Sequence, residues 1–329
     1  FNDGQGFRRE SQSIGLVSGG KGLGVAICDF TGDNSVDIYV ANDTTDNHFY
    51  RNDGQGLFTE SAVLAAVSGD DAGVSTGSMG IAVLDINSDQ RPDVFVTNFE
   101  RELNGLYRNE GDSYFTYASR KSGFAAYPAG FVGFGTVALD FNFDGAQDLV
   151  VANGHVSYAS PYSPFKQTSL AFENQGDMFV RLPESSYFAE PHTGRGLAAG
   201  DLNNDGGVDL VFSNLEEPVA VVQTLPPSSS SWAIIRLVGT VSNRDGVGST
   251  IRWNPAGEAP QAFRVCGGGS YLSYSDQRVH LYWTLDLSED QETRRVAVKW
   301  PTGEVEEFSF LQGIENALIE GAGIPQPAN

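Results

Sequence analysis

The chain has 329 residues, with 42 Asp and Glu against 20 Lys and Arg and a formal net charge of −22. That excess of negative charge argues against a nucleic-acid partner or an anionic membrane surface. With 39 glycines and 40% hydrophobic residues, it describes a turn-rich globular protein that can build large cores.

The first phrase, Phe1-Asn-Asp-Gly-Gln-Gly-Phe7, repeats the later hairpin Arg51-Asn-Asp-Gly-Gln-Gly-Leu-Phe58 with no acidic stretch before it. It is expected either to supply the outer strand of a last repeat around 196–225 or to be the remnant of earlier repeats, the second being preferred. Then comes Asp29-Phe-Thr-Gly-Asp33-Asn-Ser-Val-Asp37, and the same frame returns at Asp85–Asp93, Asp140–Asp148 and Asp201–Asp209, the first aspartates being 56, 55 and 61 residues apart. Each copy is flanked by short apolar runs rich in β-branched and aromatic residues, such as Val25–Cys28 and Val36–Val40, which read as strands. A glycine precedes each first Asp by five residues (Gly24, Gly80, Gly135, Gly196), and an asparagine follows it by thirteen (Asn42, Asn98, Asn153, Asn214). Hairpin phrases begin downstream at Phe49, Leu106 and Ala171, so each unit is expected to be a four-stranded antiparallel meander. A recurring four-stranded unit of this length predicts an all-β propeller of about four visible blades.

Aspartates at positions 1, 5 and 9 of a tight loop would repel one another unless a cation lay among them, and an all-oxygen donor set suits calcium. The expected ligands are Asp29, Thr31, Asp33 and Asp37; Asp85, Asn87, Asp89 and Asp93; Asp140, Asn142, Asp144 and Asp148; and Asp201, Asn203, Asp205 and Asp209. Position 6 needs a left-handed backbone, cheapest for glycine. Gly145 and Gly206 therefore rank the last two loops first, Asn34 next, and Gln90, followed by Pro92, last. An EF-hand is excluded, because Val40, Val96, Val151 and Phe212 stand where its bidentate acid belongs. The alternative is that Asp and Asn serve only the local hydrogen bonding of turns. Two to four calcium ions are expected.

The third unit carries a longer connection, Gly154–Gln167, in which His155, Tyr158, Tyr162 and Phe165 are candidate ligand-binding residues. The alternative is a surface loop packed on a neighbouring blade or on the second domain. Propeller blades are expected over 1–224. The Pro- and Ser-rich segment 225–231 reads as a linker, and 232–322 as a smaller β-sandwich-like domain with strands at Trp232–Val238, Ser249–Trp253, Gln261–Val265, Arg278–Tyr282, Val296–Trp300 and Val305–Phe310. Cys28 and Cys266 fall in different expected domains, so each is predicted to be a small buried or half-buried residue rather than a reactive thiol, and no bridge between them is expected. The four histidines lack His-Glu-x-x-His spacing, no Gly-x-Ser-x-Gly elbow or phosphate-cradling loop occurs, and the conspicuous acid pairs belong to the calcium loops, so no catalytic residue is assigned.

The pattern Gly-x-x-x-x-Asp-x-Asn-x-Asp-Gly-x-x-Asp resembles the FG-GAP or VCBS repeat, the blade of the integrin alpha-subunit propeller. That resemblance implies calcium on the aspartates named and a rotor that usually has seven blades. Ser242–Gly248, Gly267–Ser273 and Val298–Glu304 resemble the ASPIC/UnbV domain, although Tyr282-Trp-Thr-Leu285 replaces the Gly-rich turn usual in that family. Together these predict a calcium-binding, exported module, secreted, periplasmic or on the cell surface, that binds protein or glycan or acts as a scaffold. No transmembrane run occurs, and an initiating Met removed with a leader is part of that expectation. The alternatives are a structural subunit of a larger extracellular or membrane-extrinsic assembly, and an enzyme acting on polysaccharide or on a secondary metabolite.

Overall fold

The computed structural model describes residues 10–17, 19–127, 130–183, 186–228, 230–254, 260–284 and 294–326. Among these, strands dominate and no α-helix occurs. The opening phrase Phe1–Phe7 and Leu285 lie outside the described residues.

Four consecutive antiparallel sheets follow the four acidic repeats. The first blade is Gly22–Cys28, Asp37–Asn42, His48–Asn52 and Phe58–Glu60, and the second is Ile81–Leu84, Asp93–Val96, Gly105–Gly111 and Tyr114–Tyr117. The third is Gly133–Leu139, Asp148–Asn153, Leu170–Asn174 and Phe179–Arg181. The fourth departs from the four-stranded expectation. Gly194–Gly200, Asp209–Asn214 and Ala220–Val222 form a three-stranded sheet among the described residues, after which Pro226 and Pro227, with no N–H to give a ladder, lead the chain away.

The second and third blades are buried on both faces, so successive side chains along their strands serve different neighbours. In the second blade Val94 and Val96 pack toward the first with Phe49 and Phe115, while Phe95 and Leu106 pack toward the third with Leu149 and Phe172. In the third blade Leu149 and Val151 look back to the second, and Val150 and Ala152 look on to Leu197 and Phe212 of the fourth. Period-two side chains thus fill three successive seams.

The recurrent glycine sits at those seams. A Cβ on Gly24 would stand 2.3 Å from Met79 O, on Gly80 2.0 Å from Phe134 O, and on Gly135 2.4 Å from Leu197 N. Only a residue without a side chain allows the neighbouring inner strand so close. On Gly196 the Cβ would instead meet Ser273 Oγ at 2.6 Å, a residue of the second domain.

Between the fourth and first blades runs an extended segment of that domain. Gly267–Gly268 pairs antiparallel with the inner strand of the first blade, and Ser270 forms a bridge with Ile81 of the second. The Ser270 hydroxyl accepts from Thr136 N of the third blade at 3.2 Å and donates to Leu197 O of the fourth at 2.6 Å. Ser275 Oγ and Asp276 N then bond Ala199 N and O. One serine on the axis therefore touches three inner strands, and the segment around it closes on the remaining one.

The second domain is two sheets over one core. Ser230–Val238 lies between Val279–Thr284, antiparallel, and Glu315–Ile319, parallel. The other sheet runs in the order Gln261–Arg264, Thr250–Trp253, Arg294–Lys299, Val305–Phe310, Ile324–Gln326. Trp253, Trp283, Trp300, Phe308 and Phe310 fill the space between them. The first strand begins at Ser230, inside the segment expected to be a linker, and the two strands after 311 and the axial pair 267–268 were not anticipated from the sequence.

Candidate metal centres

The four acidic loops adopt one geometry. Position 6 is left-handed at Asn34 (φ 73°), Gln90 (φ 67°), Gly145 (φ 89°) and Gly206 (φ 93°), and so is position 4, at Gly32, Ser88, Phe143 and Asn204. The position-1 carboxylate accepts from the N–H of position 6, at 3.0, 2.7, 2.9 and 2.9 Å in chain order. Position 5 accepts from the N–H of position 7 in every loop. The position-9 carboxylate, buried at Asp37, Asp93, Asp148 and Asp209, takes the N–H of position 2 on one oxygen and, on the other, an N–H of the third strand, or in the fourth blade that of Thr224 just beyond it.

That third-strand residue is a signal the sequence contained and the spacing argument passed over. Asn109 donates its side-chain amide to Phe30 O of the first blade's acidic loop at 2.9 Å, and Asn174 to Ile86 O of the second blade's loop at 3.1 Å. The first two acidic loops are thereby each tied to the next blade. In the fourth blade the equivalent residue is Thr224, whose hydroxyl turns to Val208 O of its own loop.

Local hydrogen bonding accounts for these N–H groups, and among the described residues no three carboxylate, imidazole or thiol groups converge tightly enough to hold an ion as they stand. It does not account for two buried side-chain oxygens at position 3, Thr31 Oγ1 and Asn87 Oδ1, which have no hydrogen-bond partner. Nor does it relieve the charge. Burial, with the neighbouring carboxylates adding to it, pushes Asp37 up to about 7 against the hydrogen bonds it accepts. Asp93 rises to about 8, Asp148 to about 7 and Asp140 to about 6 for the same first reason, and Asp85 and Asp209 also rise. Oxygen atoms of this kind, orphaned among buried acids, fit a hard divalent cation. In the second loop Arg91 Nη2 already lies 2.5 Å from Asp89, a competing positive charge at position 5.

The same end of the rotor carries the second domain. Arg264 donates to Gln90 O, Arg278 to Asn204 Oδ1 and Asp201 O, and Tyr282 Oη to Gly206 O at 2.7 Å. Phe143, strained at position 4, packs edge-on against Tyr282 with ring centroids 4.7 Å apart. Gly206 lies against Trp232, where a Cβ would approach the ring to 2.3 Å. Beneath this roof a cavity of about 230 Å³ is lined by Asp85, Asp140, Arg264, Cys266, His280 and Tyr282 among others. Cys28 is buried and Cys266 half-buried, as expected, but their assignment to separate domains does not keep them apart: the sulfurs are 2.7 Å from each other.

The long connection of the third blade leaves the far end of the second strand, opposite the acidic loops. His155 is buried, with Nε2 3.3 Å from Glu100 Oε1 and its carbonyl held by Arg195. Although burial opposes it, Glu100 is held below the usual carboxylate range by the hydroxyls of Ser163 and Ser160 and by His155. Lys166 reaches Glu217 of the fourth blade at 2.6 Å. The loop is thus packed across the second and fourth blades, the arrangement the sequence allowed as its alternative. Its aromatic rings remain outside: Tyr158, 70% exposed, stacks on Phe165 at 3.9 Å between centroids, and Tyr162, 61% exposed, lies under the Arg101 guanidinium.

Residues 29–96 and 85–151 match the FG-GAP-like repeat family, and residues 239–321 match the ASPIC and UnbV family. Cartilage acidic protein 1 of Xenopus tropicalis is 24% identical over 317 residues, which cover 93% of this chain and 46% of that protein. Its Homo sapiens counterpart is 30% identical over 213 residues, covering 61% and 30%. The chain thus spans less than half the length of these curated relatives. Among solved structures, an Agrocybe aegerita protein that recognises non-reducing terminal N-acetylglucosamine aligns at TM-score 0.34 and 16% identity, over 61% of this chain and 53% of that one. BBS1N, solved in complex with ARL6DN, aligns at TM-score 0.38 and 11% identity, over 89% and 80%. No helix among the described residues is long and apolar enough to cross a membrane.

Proposed function

From the premise that the chain joins FG-GAP-like repeats to an ASPIC and UnbV domain, as its matches at 29–151 and 239–321 state, we propose that it is a calcium-stabilised, exported binding or scaffolding module without turnover. The observation that carries the metal reading is the pair of orphaned buried oxygens, Thr31 Oγ1 and Asn87 Oδ1, each among the aspartates of its own loop. Position 1, 3, 5 and 9 side chains would hold the ion. A bound calcium supplies positive charge that lets buried Asp37, Asp93 and Asp148 stay ionised. Loops of this kind bind at extracellular rather than cytosolic calcium levels, which supports a secreted, periplasmic or surface setting.

Calorimetric titration of the chelator-treated chain with calcium tests this reading, with two to four ions bound and a melting temperature raised by several degrees. No heat and no shift would overturn it. Asp205→Ala or Asp144→Ala should each remove one ion, whereas Asp89→Ala should matter less, since Arg91 already occupies that carboxylate.

For the ligand, the exposed faces of Tyr158 and Tyr162 offer rigid, amphipathic contact area suited to a sugar ring or a protein surface. Glycan-array binding by the native chain that is lost in Tyr158→Ala would support the glycan form. A structural-subunit reading is favoured by one observation. The last strand of the fourth blade, Ala220–Val222, is paired on one side only among the described residues and leaves Val219 and Val221 exposed, an edge open to another chain. Native mass measurement distinguishes the two.

A further inference from the structure

Cys28 ends the inner strand of the first blade, and Cys266 immediately precedes the axial segment of the second domain. The pairing of Ala26 with Gly268 and of Ile27 with Gly267 places the two cysteines directly opposite each other on one antiparallel ladder. Facing residues on such a ladder have Cβ atoms about 4.5–5.5 Å apart, close to the separation a disulfide spans. Here the side chains already point at each other, with sulfurs at 2.7 Å. These are the chain's two cysteines, so no other intramolecular pairing competes.

Access is unequal. Cys28 is sealed in the core between the first and second blades at 1% exposure, while Cys266 is half-buried and lines the axial cavity. We infer that Cys28 and Cys266 form a redox site, an intramolecular disulfide that fastens the second domain into the propeller axis. The inference is independent of the calcium reading. The oxidant it requires is a low-molecular-weight disulfide that meets Cys266, the more exposed of the two thiols. The Cys266 thiolate attacks one sulfur of that disulfide, forms a mixed disulfide and releases one small thiol. Cys28 then gives up its proton, its sulfur attacks Cys266 Sγ, and the second small thiol leaves. Two protein thiols are oxidised as one external disulfide is reduced. The bond closes a loop between residues 238 positions apart, so it removes much of the freedom of the unfolded chain.

The test uses the full chain with a protease site engineered within 225–228, which separates the half bearing Cys28 from the half bearing Cys266. After incubation with glutathione disulfide, neither thiol should react under denaturing conditions, and the intact mass should fall by two hydrogens. The cleaved halves should run as one species without reductant and as two with it. Cys266→Ser should give two species either way. The oxidised native chain should melt several degrees above the reduced one, a difference absent from Cys266→Ser. Two titratable thiols with separable halves, or a bond that joins two chains instead, would overturn the assignment. An oxidised chain melting no higher than the reduced one would overturn its fastening role.

Discussion

Three seams of this rotor join blade to blade, and a fourth joins the last blade to the first through a piece of another domain. At the first three, glycine lets backbone meet backbone, with Met79 O, Phe134 O and Leu197 N at the position a Cβ would need. At the fourth, Gly196 faces a serine hydroxyl. A backbone atom in a packed sheet cannot yield without moving its strand, whereas a hydroxyl rotates about one bond. The repeat-built seams should therefore be rigid and intolerant, and the one closed by the second domain more forgiving. The seams also differ in their cross-ties, because Asn109 and Asn174 bind the first two acidic loops to the next blade and Thr224 leaves the third loop without that bond.

The largest effect is expected at Gly80. Gly80→Ala should cost about 3 kcal/mol or more in urea denaturation, since overpacking against an immovable carbonyl strains both strands. A loss equal to that of Gly196→Ala would remove the distinction between the seams.

Next is the pH dependence of the calcium-free chain. Asp37, Asp93 and Asp148 have folded pKa values raised by burial to about 7, about 8 and about 7, above the roughly 3.9 of an unfolded aspartate, so the folded state holds more protons. Stability is then full at low pH and falls as pH rises through the folded values. The urea midpoint without calcium should fall between pH 5 and 8, and saturating calcium should flatten the slope. A midpoint that rises over this range would show that the hydrogen bonds to these carboxylates, including the N–H of Asn109 and Asn174, outweigh their burial.

Ser270→Ala should cost about 2 kcal/mol, because it leaves Thr136 N and Leu197 O buried and without that hydroxyl. The smallest effect is Gly196→Ala, about 1 kcal/mol, if Ser273 turns aside as the contact suggests. Ser273→Ala in the same chain should recover part of that loss, and failure to recover it would place the strain in the strand rather than in the hydroxyl.

Much of the arc was legible in the sequence because each feature recurs where the same physical demand recurs. The glycine five residues before each first Asp, the alternating apolar runs, and the left-handed sixth position all repeat because each blade meets its neighbour in the same way. The left-handed fourth position was not legible: Gly32, Ser88, Phe143 and Asn204 share no side-chain chemistry, so the conformation is imposed by the hydrogen bonds of the loop. Gln90 shows the same override, adopting at φ 67° the turn that a glycine takes elsewhere.

What the sequence determined alone was the number of acidic repeats, their strand periodicity and the chemistry clustered in their loops, all set by residues a few positions apart. Only the tertiary structure decided that a segment of the second domain runs between the last blade and the first, and that Cys28 meets Cys266. Those contacts join unlike segments, from Ser270 and Leu197, 73 positions apart, to Cys28 and Cys266, 238 apart, each made once, so no periodicity marks them. They exist because the inner strand of every blade has one side unpaired by its own sheet, and the axial segment of the second domain covers those edges.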